Sequence, residues 1–299
     1  MDFTLDLLGV LLRTLSDSGF AFIRVRDYAG NPGIDDSQYV ILRHDVDRRP
    51  SYALACARME ASLGICGTYY FRITQGSFDE DIIREIAAAG HEIGYHYEDL
   101  DLVARSGSLK GEGRTTDPEN LARKAFVSFG ENLERFRQAG TVTTACMHGS
   151  PLSSYDSRLI WKYFDYGSVG IKAEPYFDIS LERILYLTDT GRRWDGSAVS
   201  IRDKVYSRNE EYYSDWVRKP LRGSAMSMTE EGDRIQGDYR FRHTGDIIAA
   251  AGKGRLPERI FLTVHPQRWS NGIIPWFQEL VSQTGKNSVK YFINKRHIG

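Results

Sequence analysis

The chain has 299 residues and a mass of 34.0 kDa, enough for two small domains or one elaborated α/β domain. Charged residues make up 26% and hydrophobic ones 41%, the balance of a soluble globular protein, which excludes a disordered chain or a fibre. With 39 basic against 40 acidic side chains the net charge is −1, so no global basic field is present to hold nucleic acid or an anionic membrane.

Near the start, Leu8, Leu11, Leu12 and Leu15 fall at i, i+3, i+4 and i+7, the stripe of an amphipathic helix that Gly19 stops. The apolar run over 7–12 is far shorter than the ~20 residues of a membrane span. Asp2 and Asp6 stand where a secretory signal carries Lys or Arg, so the N-terminus is expected to belong to the fold and the protein to be cytoplasmic. Residues 39–45 are apolar and β-branched and turn charged at their end, which predicts a strand. Pro50 suits the first turn of a helix over 51–63, ended by Gly64. Further strands are predicted over 68–73, 91–96, 141–148, 184–188 and 259–265, with helices over 78–89, 118–139 and 273–283. Strands alternating with helices argue for a parallel sheet or barrel with helices outside. Two stretches break the rhythm: 100–116 is polar and Gly-rich and reads as a long loop, and 202–243 is charged and aromatic without a period. Residues 1–299 are therefore expected to form a single elaborated domain with insertions near 100–116 and 202–243. Cys56, Cys66 and Cys146 form no C-x-x-C and are odd in number, so buried thiols in a reducing compartment are expected, with no disulfide framework or cysteine zinc site.

The chemistry gathers where strands end. Arg43-His44-Asp45-Val46-Asp47, Tyr95-His96-Tyr97-Glu98-Asp99, Met147-His148-Gly149-Ser150 and Val264-His265-Pro266-Gln267-Arg268 each close an apolar strand with ionisable residues. In parallel α/β folds the C-terminal strand ends share one face, and that face holds the active site. Asp45 and Asp47 are two apart and so face the same way. Their repulsion calls for a divalent cation or a shared proton, unless Arg43, Arg48 and Arg49 pair with them as a salt-bridge cluster. His96 is the best imidazole ligand, since neutral His with carboxylate is ordinary zinc chemistry. His91, at odd separation from His96, should face away as a structural histidine, and His44 should face away from Asp45. His148 and His265 are each candidates for ligand, acid or orienting group. In 187–196, Arg192 or Arg193 could hold a carboxylate or phosphate and Trp194 could stack on a sugar ring, or the segment is a tight turn with a surface ion pair. Arg72 and Arg268 are further substrate-binding candidates.

These segments resemble the polysaccharide deacetylase group, the NodB-homology carbohydrate esterases. The resemblance rests on residues 43–47, on Gly90-His91-Glu92-Ile93-Gly94-Tyr95-His96 and on Leu262-Thr263-Val264-His265, and it runs from about Tyr39 to Trp269. It implies a distorted (β/α) barrel of about seven parallel strands. It also implies hydrolytic removal of an acetyl group from an N-acetylated sugar with a divalent metal, usually zinc. By the same resemblance Asp45 is the general base, Asp47 and His96 bind metal, and His265 is the general acid. The family's second metal His falls on Leu100, which cannot bind a metal, so the third ligand must come from elsewhere: His148 first, Glu98 second. The family's Arg-Pro-aromatic motif is replaced here by Met147-His148-Gly149-Ser150-Pro151, whose Gly149 and Ser150 could supply an oxyanion N–H. The expected substrate is an N-acylated sugar or sugar conjugate of surface-polysaccharide synthesis. The rival readings are a degenerate barrel that binds a glycan without cutting it and a metal-free hydrolase using Asp45, Asp47 and His265.

Overall fold

The computed structural model describes residues 1–109 (other than 32–33 and 35–36), 117–149, 156–194 (other than 182) and 235–283 (other than 236). Ser150 and most of the 202–243 stretch lie outside the described residues.

Helix α1 (Leu5–Asp17) is capped by Thr4, which accepts from the Leu7 N–H, and it buries the predicted leucine stripe. β1 (Ala21–Ile23) and α2 (Val25–Gly30) follow, both too short to show a period. Then come β2 (Tyr39–Val46), α3 (Pro50–Ser62), β3 (Thr68–Phe71), α4 (Glu80–Ala88), β4 (Glu92–Tyr97), α5 (Asp99–Leu109) and α6 (Pro118–Ala139). β5 (Val142–Met147), α7 (Ile160–Tyr163), α8 (Pro175–Asp178), β6 (Leu185–Thr188), α9 (Thr244–Gly252) and β7 (Arg259–Val264) complete the order, and a last helix covers 273–283. Among the described residues no helix is long and apolar enough to cross a membrane.

One expectation is corrected here. The stretch over 100–116 is not a loop throughout, because α5 occupies its first part. Asp99 and Asp101 lie in the first turn, where the positive end of the helix dipole favours acid. Asp99 is buried and accepts hydrogen bonds from Tyr95, Ser128 and Asn132, which ties α5 to β4 and α6. The Ser-Gly-Ser near its end disguises the helix, since those residues favour turns.

The strands form a seven-stranded sheet in the order β5-β4-β3-β2-β7-β6, with β1 pairing the first half of β2. Each of these pairings is parallel. Alternation along β2 divides the core in two. Val40, Leu42 and Val46 join the larger apolar cluster with the helices, whereas Tyr39 and Ile41 join a second cluster with Tyr70, Cys146 and Phe261. The second cluster also contains Ala173, Ile179, Leu181 and Ile184, from the chain between β5 and β6. Gly94 is required on this inner face, because a Cβ there would collide with the Tyr70 ring. Tyr70 crosses that gap to donate to Thr144 on β5. The cysteines are free, Cys56 and Cys146 buried and Cys66 partly so.

Candidate metal centre and active site

The inner row of β2 runs Tyr39, Ile41, Arg43, Asp45, and Asp47 continues it just past the strand. His96 is the penultimate residue of β4, His148 follows β5, Asp189 follows β6 and His265 follows β7. Parallel pairing brings these ends to one rim, as the sequence predicts.

Asp47, His96 and His148 converge there, each offering one atom within 4.8 Å of the others. Asp47 Oδ1 lies 3.8 Å from His96 Nε2 and 3.5 Å from His148 Nε2. Tetrahedral ligands at ~2.0 Å from a zinc ion stand ~3.3 Å apart, close to this spacing. The protons agree. His96 Nδ1 lies 2.9 Å from the Cys146 carbonyl, which can only accept, so Nδ1 carries the hydrogen and Nε2 a lone pair. Burial pushes the His96 pKa down to about 4, more than Asp45 and Asp47 raise it, so the ring is neutral at pH 7. His148 Nδ1 lies 3.0 Å from Glu98 Oε2, a carboxylate that only accepts, which places a hydrogen on Nδ1 and turns Nε2 towards Asp47. Asp47 Oδ1 itself is buried and accepts no hydrogen bond from the described residues. Burial raises the Asp47 pKa, but His148, His265 and His96 together hold it below the usual carboxylate value. Two imidazole nitrogens thus face an ionised carboxylate oxygen to which no described group donates, an arrangement a divalent cation would satisfy. The donor set of two imidazoles and a carboxylate fits zinc.

The other Asp47 oxygen accepts from Gln267 Nε2 at 3.1 Å. Glu98, weighed as an alternative ligand, is instead engaged on the far nitrogen of His148 and by Arg72. Against the upward push of burial, His148 and Arg72 bring its pKa to about 2.

Beside this cluster stands a second constellation. His265 Nδ1 lies 2.6 Å from Asp189 Oδ1, and Asp189 Oδ2 accepts from the His265 N–H and from Trp269 Nε1. Arg268 Nη1 donates to the same carboxylate at 2.6 Å. Burial raises the Asp189 pKa, but Arg268 and then His265 outweigh it and bring it to about 2. Arg268 Nη1, a donor only, also lies 2.9 Å from His265 Nδ1, but the ionised Asp189 is closer at 2.6 Å and favours the hydrogen on Nδ1, which leaves Nε2 for chemistry.

Asp45 shows that the proposed cation site and salt-bridge cluster are both partly present. Arg43 grips both its oxygens, at 2.7 and 2.6 Å, while Asp47 has no such partner among the described residues and Arg48 turns to Glu279. Burial would raise the Asp45 pKa, but Arg43 and then His96 overcome it and hold it far below the carboxylate range. Asp45 Oδ2 lies 3.8 Å from His96 Nε2, at the edge of the ligand triangle.

The structure places the other expected residues as follows. His44 faces the helices and stacks on Tyr69, 2.9 Å from Glu60. His91 is buried between the Gly67 N–H and the Ala57 carbonyl, as expected of a structural histidine. Four substrate-binding expectations are corrected. Trp194 is buried against Phe3 and Trp269 and donates to Thr244, so its face is closed to a sugar. Arg192 is buried over Phe3 and Trp276 and donates to the Arg268 carbonyl. Arg268 is buried on Asp189. Arg72 is committed to Glu98 through Nε and Nη2. Arg193 and Gly149 are exposed, and Ser150 lies outside the described residues. Arg43 pairs with Asp45 as the salt-bridge reading expects, whereas Asp189 and Gln267 carry no individual role in the sequence reading. Arg43 shares parity with Asp45, and Gln267 shares it with His265, signals that were available. Asp189 closes β6 with an acid, as Asp45 closes β2.

No family model and no curated protein matches this chain.

Proposed function

We propose that this chain is a metal-dependent hydrolase that removes an acyl group from an N-acylated sugar or sugar conjugate. The observation that carries the reading is the meeting of Asp47 Oδ1, His96 Nε2 and His148 Nε2 beside an Asp189-oriented His265. Asp47, His96 and His148 would hold a divalent cation, zinc by their donor set, and bound there it would polarise the acyl carbonyl and make water a better nucleophile.

The chain's own groups do the rest. Asp45, kept ionised by Arg43, accepts the hydrogen of the attacking water and aims its oxygen at the acyl carbon. His265 delivers a proton from Nε2 to the nitrogen as the C–N bond breaks, giving a free acid and an amine. Gly149 N–H, at the rim beside His148, is the candidate donor to the developing oxyanion.

Catalysis is proposed to sit in a distorted (β/α) barrel. Three strand spacings of ~4.8 Å put β5 and β2 ~14 Å apart across a flat sheet. The 3.5 Å approach of His148 to Asp47 therefore supports strong curvature. Ala173, bridged in parallel to Thr144, and Ile179 and Leu181 in the inner cluster support closure between β5 and β6 by non-strand chain. The proposed setting is the cytoplasm, with a sugar intermediate of surface-polysaccharide synthesis as substrate.

One observation favours the rival, a glycan-binding barrel without catalysis: Arg43 strips Asp45 of basicity. The experiment is Asp45→Asn, assayed for released acid on a panel of N-acyl sugars and sugar nucleotides. Hydrolysis by the native chain, lost in a variant that still binds zinc, supports the proposal. Normal turnover in the variant removes Asp45 from the mechanism, and zinc binding without turnover in the native chain favours the rival.

A further inference from the structure

Leu100 is buried in the first turn of α5, so the helix after β4 supplies no second imidazole. The third donor comes from the next strand end, as His148. A histidine recruited from another strand needs its ring turned and its tautomer fixed, and one feature does both. Glu98 Oε2 lies 3.0 Å from His148 Nδ1. Arg72, at the end of β3, holds that carboxylate through Nε at 2.9 Å and Nη2 at 2.6 and 2.8 Å. Its Nη1 reaches the backbone carbonyl of Asp47 at 3.4 Å. A single guanidinium therefore touches both the backbone of one ligand and the carboxylate that orients another.

We propose that Arg72 and Glu98 are a positioning pair that makes His148 the third metal ligand, an inference that rests on the metal-dependent reading of the site. An ionised carboxylate only accepts, so Glu98 keeps the hydrogen on Nδ1 and the lone pair on Nε2. The two-point grip of Arg72 limits Glu98 to one placement and withdraws both residues from substrate. The His148 N–H, donating to the Tyr97 carbonyl at 2.9 Å, fixes the backbone from which the ring swings. The device spans the ends of β2, β3, β4 and β5, so the ligand geometry is set before any cation arrives.

The test has two arms. In the unaltered, metal-free protein at about pH 8.5, above the ordinary imidazole range, ¹⁵N NMR should show His148 as the Nδ1–H tautomer. The resonance is assigned by its loss in His148→Asn. An Nε2–H tautomer overturns the proposal whatever the variants do. In the second arm, Glu98→Gln and Arg72→Met are titrated with Co²⁺ and Zn²⁺ against a competing chelator. Affinity should fall ~10–100-fold in each, as for other groups that orient a metal ligand, with a changed Co²⁺ visible spectrum. Native affinity and spectrum in both variants would overturn the positioning role while leaving the metal centre standing. A raised KM with unchanged cobalt affinity in Arg72→Met would return Arg72 to substrate binding. Absence of any cation binding in the native chain would overturn the metal reading and this inference together.

Discussion

Replacing Arg43 with Met isolates the buried ion pair on which Asp45 depends. The side chains of Arg43 and Asp45 are 3% and 7% exposed, so neither charge can turn to water when the other is lost. Removing one partner of such a pair costs ~3–5 kcal/mol, because the remaining charge stays buried and unpaired. The pH dependence carries a definite sign. In the native protein the Asp45 pKa lies below its ordinary 3.8, so its stabilising contribution is present above that value and lost as pH falls through the lowered one. Without Arg43, burial, already the largest single influence on Asp45, is opposed only by His96 and His265, and the pKa is expected to rise above the ordinary value. The penalty in Arg43→Met is then full above the raised value and relieved as pH falls from it towards the ordinary 3.8, by ~1.4 kcal/mol per unit. Urea denaturation at about pH 8 and about pH 5 should therefore show a larger loss at the higher pH. The double variant Arg43→Met/Asp45→Leu should regain most of it, since an apolar pair carries no stranded charge. A loss under ~1 kcal/mol that is equal at both pH values and not recovered in the double variant would refute the reasoning.

Two other outcomes follow from the site. His265→Ala should lower kcat by ~10²–10⁴, the usual share of a general acid, with Zn²⁺ affinity unchanged; a parallel loss of zinc in a chelator competition would make His265 a ligand instead. Gln267→Met, which removes the donor to Asp47 Oδ2, should weaken Zn²⁺ binding by ~10-fold, and unchanged affinity by calorimetry would show that Asp47 is oriented by its backbone alone.

Much of the fold and part of the site were legible in the sequence, for identifiable reasons. The long strands announce themselves because β2 and β7 are apolar through their length and end in charge, the mark of a buried parallel strand. Parity then separates Asp45 from His44 and His96 from His91. What parity cannot supply is the partner of each inward-facing group. Arg72 and Arg268 look like free cations in the sequence, and each is committed to a carboxylate that a different strand end brings to it. Trp194 and Arg192 look like a carbohydrate platform until Phe3, close to 190 residues away, packs against them. β1 and α2 are too short for periodicity, and α5 ends in turn-forming residues, so tertiary contacts of Leu100 and Asp99 decide it. The third ligand could be narrowed only to His148 or Glu98, because the choice depends on which His148 nitrogen faces inward.

The central claim is that one divalent cation is held by three side chains from three strand ends. The most direct measurement is a crystal of the zinc-loaded protein with data collected at the zinc absorption edge. The account predicts one strong anomalous peak per chain, bonded at ~2.0–2.2 Å by Asp47 Oδ1, His96 Nε2 and His148 Nε2. An ion bound without those atoms, or zinc-saturated crystals with no peak between them, would contradict it.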